Sequence, residues 1–98
     1  MALKIIWSDE AEKNLEEIAE FILQTWNEKI LIQFLDKLNK SIHHIKQFPE
    51  MFPVSLKEKG VRKCVITKQV SLFYSLSKEE IVIVALFDNR QSDDKLKI

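Results

Sequence analysis

Between residues 61 and 91 the sequence predicts three short strands, and the second and third carry apolar side chains at every second position, which is the spacing of β-strands. The runs cover 61–66, 70–76 and 81–87, and the polar breaks between them predict tight turns. The last run is apolar on both faces, so it predicts a strand inside the sheet. One face of the second run carries Val70, Leu72, Tyr74 and Leu76. The segment therefore predicts adjacent strands against which the rest of the chain must pack.

Two amphipathic helices are predicted ahead of these strands. A short apolar strand candidate, 3–7, ends at Ser8, whose hydroxyl can accept a hydrogen bond from the first turn of a helix. Residues 8–25 and 28–47 then carry apolar stripes at helical spacing. The link between them is very short, which favours an antiparallel hairpin with both stripes facing one surface. The first stripe comprises Ala11, Leu15, Ile18, Ala19, Ile22 and Trp26, and the second Ile30, Leu31, Phe34, Leu35, Leu38, Ile42 and Ile45.

The chain then becomes irregular before it reaches the strands. Phe48 and Pro49 end the second helix, because proline cannot continue a helix and disfavours helical geometry in the residue before it. The connection 49–60 is the only long one, and it ends at the only glycine, Gly60. The predicted order is β-α-α-β-β-β in a single domain, 1–98. This is an α+β fold in which a helical hairpin packs on one face of a mostly antiparallel sheet.

The composition is that of a small soluble domain. The chain has 98 residues, 46% hydrophobic and 31% charged, which is enough for one core and too few for two. No apolar run approaches the roughly 20 residues of a membrane-spanning helix, and the N-terminus lacks a signal-peptide pattern. We therefore expect a cytoplasmic protein with no membrane association. Cys64 is the only cysteine and falls in a predicted strand, which favours a buried, inert thiol.

The net charge of zero conceals a strong asymmetry. Residues 8–28 hold seven acids and one base, Lys13. Residues 37–78 hold nine bases and two acids, Glu50 and Glu58. We expect one negative and one positive region, which would steer charged partners.

Several classes of chemistry are excluded. A phosphate-binding loop, a dinucleotide fingerprint and a nucleophile elbow each need glycines that this chain lacks. His43 and His44 with Cys64 could suggest zinc, but adjacent helical side chains point about 100° apart and do not easily face one ion. The simpler interpretation is that both histidines border the helix stripe. We expect no metal and no cofactor.

A basic surface is the main candidate for binding. Arg62 and Lys63 on the first strand of the meander, Lys68 in its turn and Arg90 after its last strand could form a phosphate-binding surface, joined by Lys57 and Lys59. The alternative is that the lysines are simply solvated and that Arg90 pairs with Asp88 or Glu58. The two arginines carry more weight, because a guanidinium can contact phosphate or carboxylate through two hydrogen bonds.

The element order, the FPEMFP turn, the stretch VRKCVITKQVSLFYSL and the closing IVIVALFDNRQ resemble the RelE/ParE superfamily of bacterial type II toxin–antitoxin systems. The resemblance covers nearly the whole chain and rests on the order and spacing of the motifs. The long paired helices resemble the ParE side. The resemblance implies a small antitoxin whose C-terminal segment wraps this domain in a hetero-oligomer. A groove between helices and sheet, or an apolar strip on the hairpin, would accept such a segment.

The resemblance brings two activities with it. RelE-like members are ribosome-dependent endoribonucleases that cut mRNA with basic residues and often a Tyr or His near the C-terminus. ParE-like members lack that set and inhibit DNA gyrase by binding. Arg62 and Arg90 match family arginines, but no Tyr or His follows Arg90. A base would have to come from Glu50, Glu58 or Tyr74, and Tyr74 shares a strand face with core residues.

We therefore expect a toxin that inhibits growth by binding an essential target, DNA gyrase. The alternative is an mRNA endoribonuclease acting on the ribosome, with Arg62, Arg90, Lys63, Lys68 and Glu58 as catalytic candidates. A third interpretation is an inert domain that only binds its antitoxin. Whether the protein is an enzyme depends on this choice.

Overall fold

The structure is a computed structural model that describes residues 3–56 and 60–88. Its elements follow the order β1 (Lys4–Trp7), α1 (Asp9–Thr25), α2 (Glu28–Gln47), β2 (Val54–Leu56), β3 (Val61–Val65), β4 (Val70–Leu76) and β5 (Glu80–Asp88). The predicted helices and strands are all present. The strand β2 is an addition, because the sequence predicted an irregular connection there. Three residues after a proline are too few for a two-residue alternation to be detected.

The five strands form one mixed sheet in the order β1-β5-β4-β3-β2. β1 pairs with β5 in parallel, and the other three pairs are antiparallel. The predicted interior position of the last strand is confirmed, since β5 lies between β1 and β4. β2 becomes an edge strand and pairs with β3 through Val54 and Arg62.

The core lies between the helices and one face of the sheet. The central strands contribute Leu72, Tyr74, Ile81 and Ile83, which are at most 1% exposed. They form one cluster with buried residues of both helices, Ala11, Ile18, Ile22, Phe34, Leu38 and Ile45. The predicted α+β arrangement is therefore confirmed, with both apolar stripes directed at the same sheet.

A bulge in β5 ties the first helix to the sheet. The register shifts so that Val84 has no partner on β4. The Val84 carbonyl instead accepts a hydrogen bond of 2.8 Å from the Ser8 hydroxyl, which also caps α1 by accepting from the Ala11 amide at 3.0 Å. Beyond the bulge, the Leu86 amide donates to the Asn14 side chain at 3.1 Å. The side chains of Ser8, before α1, and Asn14, within it, thus satisfy backbone groups of β5 where β1 has ended.

Polar side chains close both turns of the meander without glycine. The Thr67 hydroxyl accepts from the amides of Gln69 and Val70 at 3.2 and 3.1 Å. In the next turn, Ser77 and Glu80 bond through both backbone and hydroxyl groups. Hydrogen bonds from side-chain hydroxyls therefore stabilise these two turns, which lack the glycine that is common in tight hairpin turns. The only glycine, Gly60, lies at a φ of +63° immediately before β3.

Candidate functional site

Arg62 is half-buried at the start of β3 and holds the loop 48–53, which connects α2 to β2. One terminal nitrogen of its guanidinium, Nη1, donates to the carbonyl of Phe52 at 2.7 Å and to that of Glu50 at 3.0 Å. Arg62 pairs with Tyr74 across the β3–β4 ladder, so its side chain leaves the sheet on the face that carries the core. Arg62, a predicted phosphate-binding residue, therefore stabilises the loop 48–53 in addition to any contact with a partner.

Tyr74 holds the same loop from the neighbouring strand. Its hydroxyl donates to the Pro49 carbonyl at 2.6 Å, and its side chain is fully buried. Burial raises the pKa of Tyr74 to about 12, against an opposing effect of the nearby Arg62 charge. The phenol is therefore neutral at physiological pH and its proton is directed at a backbone carbonyl. The expectation that Tyr74 belongs to the core is confirmed, and this residue is unsuited to act as a general base.

A row of aromatic rings extends from Tyr74 to the end of α2. The Phe52 ring meets Tyr74 edge-on at 6.2 Å between centroids, and His44 lies 5.7 Å from Phe52. His44 also lies 5.4 Å from Phe48, whose side chain is 53% exposed. The sequence predicts only that His44 lies at the border of the apolar stripe of α2. Its position in the last turn of α2, four residues before the C-terminal cap Phe48, is the sequence signal that it can reach this loop.

The loop 48–53 thus brings together Arg62, Glu50 and His44 at one end of the sheet. Glu50 and His44 are both exposed. Arg62 contacts the backbone carbonyl of Glu50, and His44 contacts the ring of Phe52, so a guanidinium, a carboxylate and an imidazole border one loop. Groups of these kinds can bind phosphate and move protons. Because the guanidinium already bonds two carbonyls of the loop, the loop backbone fixes where its remaining donors point.

The other predicted cations lie elsewhere. Lys63 neighbours Arg62 on the strand and therefore points to the opposite face of the sheet, where it is exposed. Lys68 lies in the β3–β4 turn, beyond the far end of β3. The described residues therefore do not gather these three cations into one site.

The remaining candidates, Arg90, Glu58, Lys57 and Lys59, lie outside the described residues. The strand leading to Arg90 can still be followed to Asp88, which pairs with Val70. Tyr74, the partner of Arg62, pairs with Ile83, five positions earlier on β5. Because the bulge at Val84 adds one residue to β5, the distance is better taken along β4, where Tyr74 and Val70 are four residues apart. At roughly 3.3 Å per residue, the Arg62 row and Asp88 are about 13 Å apart. The roles of all four residues stay predictions.

The groups considered for metal binding are separated. Cys64 is buried on β3, and burial raises the pKa of its thiol against the opposing effect of a Ser41 hydrogen bond. His43 and His44 are exposed on α2. Within residues 3–56 and 60–88, no three His, Cys, Asp or Glu side chains are grouped closely enough to hold an ion. No helix in the same residues is long and apolar enough to cross a membrane.

Comparisons with known proteins agree with the fold. A family model described as the ParE toxin of type II toxin-antitoxin system, parDE, matches residues 5–93. No curated protein sequence gives a significant match. A chain from the chromosomal ParDE TA system of P. aeruginosa is similar in structure, with a TM-score of 0.75 and 13% identity over 89% of this chain and 96% of that chain.

Two further solved structures extend the similarity. The YoeB/ParE toxin from Agrobacterium tumefaciens has a TM-score of 0.63 and 17% identity, over 88% of this chain and 98% of that chain. A chain of the E. coli DinJ-YafQ toxin-antitoxin complex also has a TM-score of 0.63, with 12% identity over 93% of this chain and 97% of that chain. At these identities the structural similarity shows a shared fold.

Proposed function

The chain belongs to the ParE toxin family of type II toxin–antitoxin systems, and from this we propose that it is the toxin of such a pair. It inhibits growth by binding an essential target, DNA gyrase, and an antitoxin neutralises it. The match of the family model over residues 5–93 carries the proposal. The protein acts in the cytoplasm, where this target lies.

Binding rather than cutting is supported by the groups around Arg62. A nuclease of this kind needs a base to remove a proton from a ribose hydroxyl. Tyr74, the buried neighbour of Arg62, donates its own proton to the Pro49 carbonyl and has a raised pKa. Nη1 of Arg62 is bonded to the loop rather than left open for phosphate.

An mRNA endoribonuclease is the second candidate, and one observation favours it. Glu50 and His44 are exposed beside the loop that Arg62 holds. This set contains a possible base, a possible acid and a cation. A third candidate is an inert domain that retains only antitoxin binding.

An antitoxin partner is supported by the family and by two similar structures. One comes from a ParDE system and the other from a DinJ-YafQ toxin-antitoxin complex. We expect the partner to be a small protein encoded beside this gene and to form a hetero-oligomer with the toxin.

Induction of the lone protein tests the proposal. We expect growth arrest, relief on co-expression of the adjacent small gene, loss of DNA supercoiling and intact mRNA. Cleaved ribosome-bound mRNA would replace the gyrase target with the endoribonuclease. Normal growth at high expression would contradict both toxin hypotheses and leave only the hypothesis of an inert domain that binds its antitoxin.

A further inference from the structure

A cavity opens at the end of the helical hairpin where α1 turns into α2. Its volume is about 190 Å³. Its lining comprises Ile22, Trp26, Ile30, Gln33, Phe34, Lys37, Thr67 and Gln69. The site lies beside the β3–β4 turn, whereas the loop held by Arg62 lies at the other end of that strand. It is therefore separate from Arg62 and the loop 48–53.

The inner part of the cavity is apolar and its rim is polar. Ile22 and Phe34 are 3% and 5% exposed, so they form the inner wall. Gln33 and the residues of the β3–β4 turn supply amide and hydroxyl groups around them. An apolar protein cavity of about 150 Å³ can hold a benzene ring, so this one has room for a single large side chain.

Exposed apolar side chains continue from the cavity onto the surface. Trp26 is 58% exposed and Ile30 is 37% exposed, and both line the cavity. Leu23, one helical turn before Trp26, is 48% exposed. Tryptophan is enriched among the residues that contribute most to binding at protein interfaces. A tryptophan that the fold leaves more than half exposed is therefore available to a partner. This patch therefore has the composition of an interface centre.

The charges at the cavity are positive. Lys37 is its only charged lining residue, and Lys68 lies between two lining residues. Within residues 3–56 and 60–88, the one ion pair joins Lys40 to Asp36 at 3.1 Å, which leaves Lys37 without a carboxylate partner. A partner that places an acidic group beside an apolar anchor would complement both features.

We infer that this cavity is an anchor site for the antitoxin, and that it takes a large apolar side chain from a segment that also presents a carboxylate to Lys37. The inference rests on the proposed function, because it assumes that an antitoxin exists. It adds the location of the contact and the chemistry of the segment.

The antitoxin that relieves growth arrest serves as the probe in a binding titration. Trp26→Ala and Ile30→Ala should each weaken binding about tenfold or more, as is typical when an interface centre is truncated. Lys37→Glu should weaken binding by a similar factor at low salt and by less at high salt. Thermal unfolding of each variant checks that its fold is retained.

Matched controls come from the same helix. Ile32→Ala removes the same side chain as Ile30→Ala from a residue that is 58% exposed but does not line the cavity. Lys40→Glu makes the same charge change as Lys37→Glu at a lysine that does not line the cavity. Both controls should change the dissociation constant less than twofold. Equal losses at Ile30 and Ile32 would overturn the inference.

Tryptophan fluorescence gives a second, independent readout. The chain has two tryptophans, and Trp7 is half-buried against the core. Acrylamide should quench Trp26 in the free protein, and antitoxin binding should protect it. Trp26→Phe removes this signal and leaves Trp7 as the reference. Continued quenching of Trp26 in the saturated complex would contradict an anchor at this site.

Two further outcomes separate the inference from its premise. If no protein relieves the growth arrest, or if no arrest occurs, the proposed function fails first. If relief and binding are intact in all cavity variants, only the anchor site fails. A lone toxin that sediments as a dimer and becomes a monomer on Trp26→Ala would instead assign the cavity to a second copy of the chain.

Discussion

Arg62 and Tyr74 face each other across β3 and β4, and both donate hydrogen bonds to the same short loop. Arg62 binds the carbonyls of Glu50 and Phe52, and Tyr74 binds that of Pro49. Three carbonyls within four residues are thus satisfied from the sheet. Because a loop without regular structure has few internal hydrogen bonds, these contacts define its shape.

Arg62→Ala should destabilise the protein by about 1–3 kcal/mol, because it removes a charged donor from two carbonyls at once. Urea unfolding measures the loss. Lys63→Ala is the matched control, since Lys63 is the next residue on the strand and points to solvent on the other face. It should cost less than about 0.5 kcal/mol. Equal stability of the two variants would show that the loop does not depend on Arg62.

Tyr74→Phe should cost about 1 kcal/mol, because it leaves the Pro49 carbonyl without this donor while keeping the ring in the core. The combined variant with Arg62→Ala should be less destabilised than the sum of the two, since both residues hold one loop. A double-mutant cycle by urea unfolding measures this coupling. Strict additivity would mean that the two donors act independently.

The pKa of Tyr74 predicts how stability changes at high pH. Burial raises it to about 12 in the folded protein, against roughly 10 for an ordinary tyrosine. Folding therefore favours the neutral phenol. Its contribution to the free energy of unfolding is fully present below about pH 10 and is lost as the pH rises through 12. Tyr74 is the only tyrosine, so its absorbance reports this one ionisation. Tyr74→Phe should flatten the fall in unfolding free energy between pH 10 and 12; an unchanged fall would assign it to other groups.

Ser8→Ala should cost more than the loss of an ordinary helix cap. Ser8 caps α1 and also donates to the Val84 carbonyl at the β5 bulge, so we expect about 2 kcal/mol. Asn27→Ala is the matched control, because Asn27 caps α2 through the Ile30 amide and lies at the exposed end of the hairpin. It should cost about 1 kcal/mol in the same unfolding assay. A smaller loss at Ser8 than at Asn27 would contradict the role of the bulge contact.

The sequence predicted the elements because their signals are local. The two-residue alternation of β4 and the cap at Ser8 each lie within a few neighbouring residues. Contacts across the fold could not be predicted in this way. Whether Arg62 turns toward solvent or toward Phe52 depends on the strand register and on the position of the loop. From the sequence alone, we expect Arg62→Ala and Arg90→Ala to weaken toxicity and to leave stability nearly intact. The two carbonyl bonds of Arg62 instead predict a loss of stability for Arg62→Ala.

The same limit applied to the candidate site. Arg62 and Lys63 are adjacent in sequence and were grouped as one basic surface, yet alternation along β3 separates them by face. The helix stripe predicted Trp26 as a core residue, but it is 58% exposed because it lies at the end of α1, where the chain leaves the helix. Its side chain therefore lines a cavity open to solvent. Exposure of this kind depends on what the neighbouring elements cover.

Glu50→Gln and His44→Ala distinguish a toxin that binds from one that cuts. Glu50 is exposed, so Glu50→Gln should cost less than about 0.5 kcal/mol of stability. His44→Ala should cost about 1 kcal/mol, because it removes the ring contacts with Phe48 and Phe52. For a toxin that acts by binding gyrase, we expect growth arrest on induction to be unchanged, because neither proton-transfer group is needed. Colony counts after induction, with soluble protein levels as the control, measure this. Relief of arrest by Glu50→Gln at normal protein levels would identify the carboxylate as a base and favour the endoribonuclease, since the amide keeps the shape of the side chain but cannot accept the proton.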